Sequence, residues 1–106
     1  MTFREWQKAE FGYDCITTFW EDFAIADRFG IKAIKSTFKQ VFKEWKHDYR
    51  YLTELVIVLN HRSWMHYHKG NNMLSKEYSD IYKIANSYAK ENLKGEELEY
   101  FYKITD

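Results

Sequence analysis

Proline does not occur in this chain of 106 residues, and glycine occurs only at Gly12, Gly30, Gly70 and Gly95. Proline removes a backbone donor and breaks helix interiors, while glycine weakens them, so this scarcity excludes a turn-rich fold. It favours helices separated by glycine stops. Cysteine is equally scarce: Cys15 stands alone. An intramolecular disulfide is therefore impossible, and the disulfide framework of a small secreted domain is missing. The longest apolar run, Leu55 to Leu59, falls far short of the ~20 residues that span a bilayer. The charged start MTFREWQKAEFGYD has no apolar segment of the secretory kind. The expectation is a soluble protein of a reducing cytoplasm, without a membrane partner.

Net charge is also lacking, with 16 basic residues against 16 acidic ones. The balance is not local. Residues 1–30 carry −3, residues 31–70 carry +5 and residues 71–106 carry −2. Such asymmetry bears on partners and association rather than on fold. Aromatic residues, in contrast, are abundant: four tryptophans, nine tyrosines and eight phenylalanines. They let a small domain bury much apolar area per side chain.

Along the chain, Thr2 and Glu5 have capping-box spacing for a short first helix carrying Phe3, Trp6 and Lys8 and ending before Gly12. Thr18 and Glu21 repeat that spacing before a helix running through Trp20, Phe23 and Ala26 to Phe29, with Gly30 as its stop. From Ile31, the set Ile34, Phe38, Val41, Phe42 and Trp45 follows helical spacing to about His47. Asp48 can cap a central helix in which Leu52, Leu55, Val56, Leu59, Ser63 and His66 share a face, with Ile57 and Val58 making its middle apolar nearly all round. It ends near Lys69 and Gly70. Asn71 or Asn72 then caps a long helix closed by Lys94 and Gly95, and a last helix runs from Glu96 to about Ile104 with acids in its first turn. The prediction is one all-α domain over 1–106, a bundle of five or six helices, in which 1–16 form a short helix and loop appended to the 17–106 core.

The most distinctive constellation is Lys32, Lys35, Lys39, Lys43 and Lys46. At ~100° per residue all five fall within an arc of roughly 80°, centred roughly 110° from the apolar face of the same helix. Arg50 extends the series in sequence. Lysines at i, i+4 repel each other by a few tenths of a kcal/mol, and folding does not require five together. One reading is a solvated face partly neutralised by Glu44, Asp48 and acids of neighbouring helices. The other is a binding surface for a phosphate backbone or an acidic protein.

Other chemistries find less support. Ala26, Gly30 and Ile31 have helix-turn-helix spacing, but Ser36 and Lys39 stand where further apolar anchors belong. His47, His61, His66 and His68 invite a metal, yet His61 and His68 lie about 10 Å apart along a helix axis, and no HExxH or CxxC pattern exists. They read as partly exposed or core-edge imidazoles. Nucleophile elbows and phosphate loops are absent, and Glu21–Asp22 and Glu96–Glu97 are adjacent acids pointing to different helix faces. No catalytic residue, metal or cofactor is predicted, and the chain reads as a non-enzyme. The aromatics cannot all be internal, so residues such as Trp6, Phe11, Tyr13, Trp20, Tyr49, Tyr51, Trp64, Tyr67, Tyr100 and Tyr102 are expected to supply some exposed interface anchors.

Three stretches, TFWEDFAIADRFG, EWK followed by YLTELVIVLN, and ENLKGEELEYFYKITD, resemble a small helical domain carried by phages and prophages of anaerobic and related Gram-negative bacteria. The resemblance covers Thr18 to Asp106 and transfers no active-site residues. Phages keep many small non-enzymatic proteins that occupy host defence proteins, and the chain looks like an anti-CRISPR protein, similar in size and composition to an inhibitor of an RNA-targeting type VI effector. The resemblance implies action in the host bacterial cytoplasm by direct binding to the effector nuclease, its guide RNA, or both. A homo-oligomeric scaffold or regulator, and a nucleic-acid-binding accessory protein, remain as rivals.

Overall fold

A computed structural model describes residues 17–105 and, before them, Glu5, Lys8 and Ala9, all three helical. The expected caps and apolar residues of the first helix at Thr2, Phe3 and Trp6 lie outside the described residues, as do Phe11, Tyr13 and Cys15. Five helices follow: α1 Phe19–Asp27, α2 Ile31–Trp45, α3 Tyr49–His68, α4 Asn72–Asn92 and α5 Glu96–Thr105. The described residues contain no strand, so the fold is all-α, as the periodicity predicts. The radius of gyration, 13.4 Å, matches the ~13 Å of a single packed domain of this length.

Two of the helix breaks depart from the sequence expectation. The Thr18–Glu21 capping box does not form; Thr18 Oγ1 donates instead to Asp22 Oδ2 at 3.1 Å. Helix α1 stops at Asp27, two residues before the expected Phe29. Gly30 serves both sides of that break. Its N–H reaches the Ala26 carbonyl at 3.2 Å, and its own carbonyl accepts from Ile34 N at 3.1 Å. The turn needs φ of 97° with ψ of −169° at this position, a region that only glycine adopts readily. Asp48 caps α3 as predicted, its carboxylate accepting from the backbone of Arg50 and Tyr51. Asn71 precedes α4 without a side-chain cap bond.

Helix α3 lies at the centre. Leu52, Leu55, Val58 and Leu59 are fully buried, because its neighbours cover it from several sides. Phe23 and Ala26 come from α1, Ile34 and Phe38 from α2, Tyr78, Ile81 and Ala85 from α4, and Phe101 from α5. The α3–α4 hairpin is drawn together by reciprocal bonds: Ser63 Oγ donates to the Ser75 carbonyl at 2.9 Å, and Ser75 Oγ to the Ser63 carbonyl at 2.8 Å. Small side chains at both positions let the backbones approach closely enough for this exchange. Among the described residues, no helix is long and apolar enough to cross a membrane.

Candidate binding surface

Ile34, Phe38 and Val41 bury one face of α2, and that anchoring fixes the direction of its lysines. Lys32, Lys35, Lys39 and Lys43 are exposed and Lys46 is half-buried. Only Lys35 among them pairs with a carboxylate of the described residues: its Nζ lies 3.9 Å from Oε2 of Glu77, which is largely buried on α4. The expected neutralisation by Glu44 and Asp48 does not occur through ion pairs within the described residues. Lys46, the residue that caps the end of α2, has its Nζ 5.7 Å from the Phe42 ring centre and 5.6 Å from that of Tyr88. Phe42 belongs to α2 and Tyr88 to α4, so this end of the lysine row borders the α2–α4 groove. Arg50 is exposed in the first turn of α3, on a separate helix. Its charge acts on the Tyr100 hydroxyl, whose pKa is nonetheless raised, chiefly by burial.

The groove adds residues that the lysine periodicity does not identify. Ile84 is 53% exposed and, with Phe42, Tyr88 and Lys83, lines a shallow hollow between α2 and α4. Ile84 breaks the apolar stripe of α4 on the outer side, and that mismatch is the one signal in the sequence that marks it. On the other flank of α4, Lys83 and Lys76 also border the groove toward α3, whose walls include Trp64 and Tyr67. These rings are 63% and 65% exposed. His68 packs against both, with ring centres 3.9 Å from Trp64 and 5.5 Å from Tyr67. The expected aromatic anchors therefore divide. Trp64, Tyr67 and Tyr102 are exposed, Tyr49, Tyr51 and Tyr100 are half-buried, and Trp20 is a core residue at 5% exposure.

A second constellation lies inside the fold. Asp27 at the end of α1 accepts from the Arg62 guanidinium and from His66 Nε2, the latter at 2.8 Å, through Oδ2. Its Oδ1 accepts from the Tyr78 hydroxyl, which also lies 3.3 Å from the Phe23 carbonyl. His66 stacks on the Tyr78 ring at 5.5 Å, and Asn71 Nδ2 approaches His66 Nδ1 at 3.4 Å. Burial alone raises the Asp27 pKa, but the Tyr78 and Arg62 hydrogen bonds, the guanidinium charge and the His66 bond outweigh it and hold the carboxyl below its ordinary 3.8. Burial first, and then the Asp27 bond and charge, push the Tyr78 hydroxyl far above its ordinary value. Side-chain exposures of 14%, 10% and 6% for Asp27, Arg62 and His66 leave little of them for a substrate to reach. The group ties α1, α3 and α4 together.

His66 is thus a core residue, whereas His61 stands edge-on to Trp20 at 5.1 Å and His47 and His68 are exposed. Spacing gives a partial sign of the tie: Arg62 and His66 continue the face of α3 that carries Leu55 and Leu59, and charge on an apolar face implies a buried partner. Among the described residues, no three His, Cys, Asp or Glu side chains converge to hold a metal ion. Comparison with known protein families, with curated proteins and with solved structures finds no match for the chain.

Proposed function

We propose that the chain is a binding protein without chemistry of its own, which engages an anionic macromolecular partner through Lys32, Lys35, Lys39, Lys43 and Lys46. The observation that carries this reading is the lysine row itself: a helix clamped by its apolar face presents these cations together, and only Lys35 meets a carboxylate among the described residues. Repulsion between neighbouring lysines is relieved when an anionic partner arrives. The phage-domain resemblance supplies the candidate partner, a host RNA-guided nuclease of the RNA-targeting type VI class together with its guide RNA. Such a target offers polyanion and protein surface in one particle.

The test is inhibition of RNA cleavage by a purified type VI effector, with binding measured to the RNA-free and guide-loaded forms. The reading expects inhibition that is lost in the Lys35→Ala/Lys39→Ala/Lys43→Ala variant while the helical circular dichroism signal is kept. Full inhibition by that variant removes the lysine row from the mechanism. Self-association is a second reading, favoured by two exposed apolar residues, Ile25 on α1 and Phe29 in the turn after it, 54% and 75% accessible. Light scattering after size exclusion decides it: a dimer abolished by Phe29→Ser supports the scaffold.

A further inference from the structure

The lysine row and the Trp64–Tyr67 pair are far apart in sequence, but α4 lies between them. Lys83 lines hollows on both flanks of α4, the one shared with Phe42 and Tyr88 and the one shared with Trp64 and Tyr67. Helices in contact lie ~8–10 Å apart, so α2 to α3 across α4 is a path of about 20 Å. We infer that a single strand of RNA crosses α4 on this path, its phosphates held by the α2 lysines and Lys83 and its bases stacked on Trp64 and Tyr67. This inference rests on the anionic-partner reading above and names the chemistry of the partner.

Three observations favour a strand with exposed bases over an acidic protein. The rings are large, accessible and held in place by His68, which suits stacking by any base. The groove beside them is walled by Asn60, Ser63, Asn72 and Ser79 together with the Lys76–Asp80 ion pair, and these polar groups offer hydrogen bonds to base edges and ribose hydroxyls. The lysines approach from the far side of α4, so charge and rings are separated, as backbone and bases are in a splayed strand. A duplex keeps its base faces stacked inside and cannot use the rings.

The experiment titrates the whole chain with a labelled 12-nucleotide single-stranded RNA, the matching RNA duplex and poly-glutamate, by fluorescence anisotropy at several salt concentrations. The inference expects the single strand to bind more tightly than the duplex or poly-glutamate. Trp64→Ala and Tyr67→Ala should each weaken the single strand by about 5-fold or more, with Trp64→Phe largely restoring it. Lys35→Ala/Lys39→Ala/Lys43→Ala should flatten the log–log salt slope by about 2, at ~0.7 per phosphate contact. Single-strand binding that ignores Trp64→Ala and Tyr67→Ala but falls in the lysine variant overturns the stacking path and leaves the anionic-partner reading standing. Poly-glutamate binding as tightly as RNA, with no response to the ring variants, assigns the surface to an acidic protein and overturns the inference. Absence of binding to all three probes overturns it and counts against the lysine reading as well.

Discussion

Replacing Asp27 by alanine removes the acceptor on which three helices converge. Both carboxylate oxygens are engaged, Oδ2 by Arg62 and His66 and Oδ1 by Tyr78. The variant leaves the Arg62 guanidinium, 10% exposed, without its counter-charge, and Arg62 Nε already has no acceptor among the described residues. Breaking a buried pair from one side costs about 3–5 kcal/mol, because a charge remains uncompensated. Partial access of water to Asp27 places the expected loss at the lower end, about 3 kcal/mol. A domain of this size has roughly 5–15 kcal/mol in total, so the loss is a large part of it. With a urea m-value of about 1.5 kcal/mol/M, the unfolding midpoint falls by about 2 M. Tyr78→Phe removes one hydrogen bond to a charged group and should cost about 1.5–3 kcal/mol. Asp27→Ala/Arg62→Met removes both charges and should recover part of the Asp27→Ala loss. An Asp27→Ala midpoint within about 0.5 M of the parent, or a double variant as unstable as the sum of its singles, refutes the account of the cluster as a charge-compensated tie.

Acid titration reads the same group from another side: a folded pKa below the ordinary 3.8 means that the stabilisation is complete above about pH 4 and disappears as pH falls through the folded value. Asp27→Asn should therefore lose less stability than the parent between pH 4 and pH 2, measured as the change in urea midpoint. At Gly30, φ of 97° leaves no room for strain-free substitution although no atom stands within 4 Å of an added Cβ; Gly30→Ala should cost roughly 1–3 kcal/mol in chemical denaturation, all of it backbone strain. Asp48→Ala should cost about 1 kcal/mol, since it removes the acceptor of two α3 backbone donors. Lys39→Ala should leave thermal stability unchanged or slightly raised, since it relieves i, i+4 repulsion with Lys35 and Lys43 by a few tenths of a kcal/mol each; a clear drop in melting temperature would give that lysine a structural role.

Periodicity and glycine position were enough to place α2 through α5 within one or two residues of their observed ends, because each helix carries its own apolar stripe and its own stop. Local chemistry also fixed the Asp48 cap and the common direction of the α2 lysines, which depend only on residues within a few turns. The Thr18 box does not form; the Thr18 hydroxyl donates to Asp22 and accepts no cap bond from the α1 backbone. What needed the tertiary structure was everything set by a second helix. The sequence shows Arg62 and His66 on an apolar face but not that Asp27, at least 35 residues away, compensates them. It lists Trp20 and Trp64 alike among the aromatics, yet packing buries one and leaves the other in solvent. The scarcity of proline, glycine and cysteine determined that this chain would be helical and hold its core without disulfides. Only the packing of α4 between α2 and α3 decided which charges and rings share a surface, because a helix fixes the angle of its own side chains and has no information about its neighbour's.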